Sequence, residues 1–162
     1  MNILGIDPGT ATMGYGVIKK DGMNLTCLEY GLIETDKNLS DADRLKKIDR
    51  DLEKILDDFS PSVLAIEKVY FSKNVKTAMT VSQAKGIAML KAAKKGLKIY
   101  EFTPSQIKST VAGHGNAKKM QVQRMIKSQL NLKERPRPND AADALGAAIC
   151  GSQKIQRDSL IS

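Results

Sequence analysis

The first third of the chain places short apolar runs between turn-forming residues, a pattern typical of β-strands. Residues 3–6 are apolar on both faces of a pleat, which predicts a strand buried on both sides near the middle of a sheet. Residues 13–18 and 25–33 predict two further strands, joined by a hairpin turn over residues 19–22. The chain is therefore expected to open with three antiparallel strands.

The pattern changes to a helical period after Ser40. Apolar residues recur at helical spacing up to Phe59, with charges on the opposite face, and the helix is expected to end before Ser60. Residues 62–67 predict a fourth strand, which returns parallel to the first strand by a right-handed crossover. The remaining predicted elements are a helix over residues 75–95, a strand over 97–102, a helix from 104 to about 111 and a helix that ends near 130.

This order of elements predicts an α/β protein with a five-stranded mixed sheet, three antiparallel strands followed by two parallel ones, flanked by helices. The 75–95 helix carries apolar residues on more than one stripe, so it requires two neighbours. One is the sheet, and the other is either another element of the same domain or a second subunit. A length of 162 residues predicts a single domain over 1–151, followed by a polar, irregular tail over 152–162.

Two of the apolar runs end abruptly in a carboxylate, Asp7 after residues 3–6 and Glu67 after residues 63–66. Asp7 is followed by Pro8 and Gly9, and Asp-Pro-Gly is also favourable turn chemistry. The repetition favours a functional site, because the carboxyl ends of parallel strands meet at one edge of the sheet and ligands bind there. We therefore expect Asp7 and Glu67 to lie at the same edge.

A second pair of carboxylates, Asp140 and Asp143, lies at a predicted helix start. Two prolines precede Asn139, which is the expected N-cap residue, and a spacing of three places both acids on one face of the first turn. Acids in a first turn also complement the helix dipole. The residues around these acids are mostly alanine and glycine, which lets the helix approach another element closely, and buried acids are costly unless they are paired or bind a metal.

Asp7, Glu67, Asp140 and Asp143 would repel one another unless they hold cations. Ligation by oxygen alone, without a nearby His or Cys, favours Mg²⁺, with Mn²⁺ as a substitute. Two such ions about 4 Å apart suit in-line attack on a phosphodiester, because one activates water and the other stabilises the leaving oxygen. The four acids therefore predict a two-metal nuclease site.

The composition favours a polyanionic partner, since the formal net charge is +8 and the isoelectric point is near 9.5. Residues 113–119 form a glycine-containing loop with Lys118 and Lys119 at the start of a helix, which predicts an anion site of low specificity. The two cysteines have no metal-ligand spacing, and no apolar run approaches the roughly 20 residues of a membrane span. We therefore expect a soluble, cytoplasmic protein that binds nucleic acid.

The motifs Gly5-Ile6-Asp7-Pro8-Gly9, Ala65-Ile66-Glu67 and Asp140-Ala141-Ala142-Asp143-Ala144-Leu145 closely resemble those of the bacterial RuvC-type Holliday junction resolvases. The resemblance extends to about Gly151. It implies a ribonuclease H-like fold, a homodimer, and paired nicks in four-way DNA junctions with Mg²⁺. It also implies that the four acids are the catalytic metal ligands and that a branch-migration helicase complex is a possible partner.

The resemblance assigns roles to three further residues. Lys108 and Lys119 match basic residues that the family uses at the scissile phosphates. Tyr70 stands where the family places an aromatic side chain that engages junction bases, and we expect it to face the junction while Phe71 packs inward. The alternative is that both aromatics pack on the sheet edge. Asp143 stands where some members carry a histidine, so the implied site is all-carboxylate.

Three alternatives use parts of the same pattern. A related ribonuclease H-like nuclease could act on structured RNA. ATP-binding domains of the actin and sugar-kinase type also follow a strand with Asp-x-Gly-Thr, but they need two lobes and this chain has the length of one. A junction-binding protein without catalysis would not require four acids at metal-ligand positions.

Overall fold

The computed structural model describes residues 1–70 and 74–162, and a five-stranded mixed sheet forms its centre. The strand order is β3-β2-β1-β4-β5, with β1 antiparallel to β2 and parallel to β4. The predicted order of elements and the parallel pairing of β4 with β1 are confirmed. The elements are β1 (Asn2–Asp7), β2 (Thr12–Asp21), β3 (Asn24–Glu34), α1 (Asp41–Phe59), β4 (Val63–Glu67), α2 (Val75–Lys94), β5 (Lys98–Phe102), α3 (Pro104–Ala112), α4 (Lys119–Gln129) and α5 (Asn139–Ile161).

Helices cover both faces of the sheet, and the strand period decides which residues face which layer. Leu4 and Ile6 of β1 belong to the apolar core shared with α1 and α2. Ile3 belongs to the opposite core, which α3, α4 and α5 cover. Since successive side chains alternate between faces, Asp7 lies on the face of Ile3, towards α5. The same parity applies to Val63 and Ala65 of β4, so Glu67 faces the same layer.

Helix α5 packs closely against the centre of the sheet because glycines face it. A Cβ atom added at Gly5 would overlap the carbonyl oxygen of Ala144, and one added at Gly14 would overlap that of Asp140. A Cβ atom added at Gly16 would approach the Leu145 side chain to 2.6 Å. This fit of small residues on both sides confirms the predicted close approach, and it places the first turn of α5 beside the end of β1.

Helix α2 packs on α1 and the sheet through a buried alanine stripe that includes Ala84, Ala88 and Ala92. Lys91 of α2 forms ion pairs with Asp49 and Glu53 of α1 at 2.8 and 2.5 Å. The second neighbour required by the sequence pattern is therefore partly α1. Apolar side chains remain exposed on the other side of α2, at Val75, Met79 and Leu90.

The C-terminal tail over residues 152–162 was expected to be irregular, and this expectation is wrong up to Ile161, because α5 continues to that residue. Ser152 is buried, and Ile155 packs against the core. Asp158 accepts hydrogen bonds from Tyr100 Oη at 2.7 Å and from Lys154 Nζ at 2.6 Å. The contact with Tyr100 of β5 and the i,i+4 pair between Lys154 and Asp158 therefore stabilise the helix over the polar residues 152–161.

The expected N-cap of α5 also differs by one residue. Asn139 is the first residue of α5, and Pro138 occupies the cap position. The Asn139 side chain instead accepts a hydrogen bond from Gln123 Nε2 at 2.8 Å, so a tertiary contact replaces the local cap.

Candidate active site

Three of the four predicted acids converge at the C-terminal end of β1. Asp7, Asp140 and Asp143 each offer a carboxylate oxygen, and these oxygens lie within 4.8 Å of one another. Glu67 ends the neighbouring parallel strand and lies within hydrogen-bonding reach of Asp7. The structure therefore brings all four acids together, although segments of 59 residues (8–66) and 72 residues (68–139) separate Asp7, Glu67 and Asp140 in the sequence.

The surroundings oppose full ionisation of this cluster. Burial raises the pKa of Asp7 well above its usual range, and the hydrogen bond with Glu67 and the charges of Glu67, Asp143 and Asp140 raise it further. Burial also raises the pKa of Asp143 to about 6, with the Glu67 charge adding to the effect and the charge of Lys119 opposing it. Without a cation, protons must neutralise part of the cluster.

A cavity of about 340 Å³ lies beside two of the four acids. Glu67 and Asp143 form one part of its wall, and the side chains of Lys108 and Lys119 form another. The positive charges of Lys119 and Lys108 lower the pKa of Asp143 and so oppose the effect of burial on that group. The cavity therefore combines carboxylate oxygens on one part of its wall with two cations on another.

Lys118, Tyr70 and His114 are not among the residues that line this cavity. Lys118 is exposed immediately before α4, and its backbone N–H donates to Gln121 Oε1 at 2.9 Å. Tyr70 lies three residues beyond Glu67 and its side chain is 55% exposed. Phe71, which we expected to pack inward, lies outside the described residues. His114 is exposed in the loop before α4.

Two polar residues that the sequence did not single out belong to the site. Gln123 is buried, lines the cavity and holds Asn139 at the start of α5. Thr12 donates a hydrogen bond from Oγ1 to Asp140 Oδ2 at 3.0 Å. The only feature of the sequence that pointed to a role for Thr12 was its position two residues before Gly14 on β2. For Gln123 the only such feature was its place on an amphipathic helix.

The donor set fits a hard divalent cation. The cluster consists of carboxylate oxygens alone, and no histidine or cysteine of the described residues belongs to it. Oxygen ligation is the preference of Mg²⁺ and Mn²⁺. Burial and neighbouring carboxylates raise the pKa of Asp7 and of Asp143, and a bound cation would favour the ionised form of each.

Among the helices that the structure describes, none has both the length and the apolar character needed to cross a bilayer.

Comparison with known proteins gives consistent matches over nearly the whole chain. The family model described as crossover junction endodeoxyribonuclease RuvC matches residues 3–151. A protein of that name from Halothermothrix orenii is 50% identical over 150 residues, which cover 93% of this chain and 91% of the relative. A second, from Ruminiclostridium cellulolyticum, is 45% identical over 161 residues, which cover 99% and 97%.

The fold of the chain also matches that of a solved structure. The structure described as T. thermophilus RuvC in complex with Holliday junction substrate superposes with a TM-score of 0.92 at 31% identity, over 98% of this chain and 96% of that one. This match confirms the ribonuclease H-like fold expected from the sequence. The chain belongs to the RuvC family of crossover junction endodeoxyribonucleases.

Proposed function

We propose that this protein resolves four-way DNA junctions by paired symmetric nicks, through Mg²⁺-dependent hydrolysis of phosphodiesters. The observation that carries the proposal is a cluster of four carboxylates, two of which, Glu67 and Asp143, line a cavity together with Lys108 and Lys119. Family membership supports junctions as the substrate, since the related T. thermophilus protein is described in complex with one.

Asp7, Glu67, Asp140 and Asp143 would hold the metal ions. Two bound ions would supply a water molecule activated for attack and positive charge at the leaving oxygen. The protein itself provides the binding of the scissile phosphate, for which Lys108 and Lys119 lie on the cavity wall. Both lysines also limit the negative potential of the acids, so that a polyanion can approach.

The distribution of free cations supports a DNA-binding surface beside the cavity. Residues 103–137 contain eight basic residues and one acid, Glu134. None of the eight forms an ion pair with any residue that the structure describes, whereas Lys85, Lys91 and Lys95 of the α2 region are all paired with acids. The eight basic residues are Lys108, Lys118, Lys119, Arg124, Lys127, Lys133, Arg135 and Arg137. We assign DNA binding to this surface, which we call the basic face.

A homodimer would place two such sites on the two strands to be nicked. The exposed apolar side of α2 supports this assembly, because Met79 and Leu90 are 57% and 54% exposed in the single chain. Gly86 lies between them on the helix, and a Cβ atom added there would meet nothing within 4 Å, so a partner helix has room to approach. Ala88 is buried against the domain's own core and faces away from this interface.

Tyr70 is proposed to stack on an unpaired base of the junction. Its exposure of 55% leaves the ring available to DNA, and its position three residues beyond Glu67 places it close to the metal ligands. Stacking of a base on an aromatic ring requires only an accessible face, so it suits a site that acts on junctions of varied sequence.

We further propose that the protein works in the cytoplasm, where a bacterial chromosome lies.

A cleavage comparison tests the function. We expect the protein with Mg²⁺ to nick two opposite strands of a mobile four-way DNA junction, and to leave a linear DNA duplex and an RNA duplex uncut. EDTA is expected to abolish the nicks. Preferential cleavage of the RNA duplex would favour a structured-RNA nuclease, and junction binding without nicks in Mg²⁺ or Mn²⁺ would favour a non-catalytic binding protein.

A further inference from the structure

We propose that Thr12 is a positioning residue that orients the Asp140 carboxylate for metal binding, an inference that rests on the proposed metal site. Thr12 Oγ1 donates to Asp140 Oδ2 at 3.0 Å, across a sequence separation of 128 residues. Among the described side chains, Thr12 is the one that hydrogen-bonds Asp140.

The backbone holds the two residues in this relation. Thr12 is the first residue of β2, and Gly14 lies on the same face of that strand because side chains alternate. A Cβ atom added at Gly14 would overlap the carbonyl oxygen of Asp140, so the first turn of α5 rests directly on β2 at this point. The backbone of Thr12 is therefore held at a fixed position relative to the Asp140 side chain. Its own side chain is β-branched and stiff at χ1.

The hydrogen bond has a chemical consequence for Asp140. The terminal torsion of an aspartate is broad, so a free carboxylate samples many orientations. A donor on Oδ2 restricts that torsion and leaves Oδ1 and one lone pair of Oδ2 for a cation. Because a threonine hydroxyl is neutral, it orients the carboxylate without neutralising its charge, whereas a lysine or arginine in its place would compete with the metal.

A purely structural role is the alternative, in which the hydrogen bond ties α5 to the sheet. Helix α5 is already held by the contacts of Ala144 and Ala148 with Gly5 and of Leu145 with Gly16. Loss of one partly buried hydrogen bond would then affect the stability of the metal-free protein and leave metal affinity unchanged. The two roles therefore differ in measurable properties.

The test measures Mn²⁺ binding to the full-length protein by calorimetry or electron paramagnetic resonance. Thr12→Val keeps the branched shape and removes the hydroxyl, and Thr12→Ser keeps the hydroxyl. We expect Thr12→Val to weaken Mn²⁺ binding by about 10-fold to 100-fold, the usual effect of removing a partner of a metal ligand, and Thr12→Ser to restore it. Thr26→Val, an exposed threonine on β3, is the matched control and should bind Mn²⁺ as the wild type does.

A second measurement separates metal positioning from folding. The metal-free unfolding temperature in EDTA should be nearly equal for wild type and Thr12→Val, while the Mn²⁺ concentration that gives half-maximal cleavage rises for the variant. Unchanged Mn²⁺ affinity in Thr12→Val, or equal weakening in Thr12→Ser, would overturn the inference alone. A wild-type protein that binds no Mn²⁺ at millimolar concentration would overturn the metal site itself.

Discussion

Asp7 and Asp143 are carboxyl groups whose surroundings oppose their ionisation. The pKa of each is raised, in both cases first by burial and then by neighbouring acids. In the unfolded chain both groups titrate near the ordinary value of 3.8. The folded state thus binds more protons than the unfolded state above that pH, and the metal-free protein loses stability as the pH rises.

Asp7→Asn is expected to abolish nicking and to preserve junction binding, because it removes a metal ligand and leaves the basic face intact. In EDTA at pH 7.5 the variant should be more stable than wild type by at least about 1 kcal/mol, since each pKa unit corresponds to about 1.4 kcal/mol. The difference should shrink as the pH falls below 4, because Asp7 then becomes protonated in the unfolded chain as well as in the folded state. Denaturant unfolding at several pH values measures this, and nicking at a near wild-type rate would contradict the metal assignment.

Asp158 serves as a control for Asp7, because its pKa is shifted in the opposite direction. Its hydrogen bonds with Lys154 and Tyr100 lower its pKa to about 2, so it stabilises the fold above pH 4, and that stability is lost as the pH falls towards 2. Asp158→Asn should therefore be less stable than wild type at pH 7.5, with a difference that narrows below pH 4. A similar pH dependence for both variants would contradict the environments described for these acids.

Tyr70→Ala is expected to slow cleavage of an intact junction while it leaves folding stability within about 1 kcal/mol, as for other exposed residues. Base stacking contributes about 1 to 3 kcal/mol, so we expect a rate roughly fivefold to a hundredfold lower. Tyr70→Phe keeps the ring and should be nearly silent. Single-turnover cleavage and thermal unfolding measure the two properties, and a parallel loss of both in Tyr70→Ala would indicate a packing role.

At the scale of elements, each face of α2 has its own role. The alanine stripe with Ala84 and Ala88 packs inside the domain, and the opposite side exposes Met79 and Leu90. A charge at Ala88 would disturb the core, so the exposed side offers the cleaner test of assembly. The apolar residues of α2 cover more than one stripe, so the helix can pack against α1 and the sheet on one side and against a partner subunit on the other.

Leu90→Glu is expected to convert a dimer to a monomer at micromolar concentration, since it places a charge in the proposed interface. Leu160→Glu makes the same change near the end of α5, at a residue that is 79% exposed, and should leave the dimer intact. Light scattering reports the mass, and junction cleavage reports whether nicks remain paired. A wild-type monomer that still makes paired nicks, or a dimeric Leu90→Glu variant, would exclude this interface.

At the scale of the whole molecule, charge is divided between two sides. Helix α1 carries seven acids and five basic residues, and several of its acids pair with lysines of α2 and the residue that follows it. The basic face over residues 103–137 has the opposite balance and borders the cavity through Lys108 and Lys119. A polyanion is therefore attracted to one side of the molecule, the side on which the four acids lie.

Junction affinity should fall steeply with salt, with a slope of about −0.9 per neutralised phosphate in a plot of log affinity against log salt. Arg135→Ala, on the basic face, should make this slope less steep by about 0.9 if it removes one phosphate contact. Arg50→Ala is the matched control, because Arg50 lies on α1 beside Asp51 at 3.6 Å. Fluorescence anisotropy at several salt concentrations measures both, and equal slopes for the two variants would contradict the basic face.

The sequence by itself determined the succession of strands and helices up to the start of α5, the parallel return of β4 beside β1 and the four acids. Local physics suffices for these features, because alternation places Asp7 and Glu67 on one face and Ser40 caps α1 through its own side chain. Family motifs then identified the acids as a set. The spacing of small residues around Asp140 and Asp143 correctly predicted a close approach, which the strand glycines allow.

Only the tertiary structure decided the features that join distant segments. The contact between Thr12 and Asp140 spans 128 residues, and neither residue has a local pattern that announces it. The cavity wall combines residues of α3 and α4 with the end of β4 and the start of α5. The presence of Lys108 and Lys119 on the same wall as Glu67 and Asp143 therefore depends on how those helices pack. The helical tail likewise depended on β5, because Tyr100 and Lys98 reach Asp158 across the fold. Such contacts arise from packing between elements, which residue order alone does not specify.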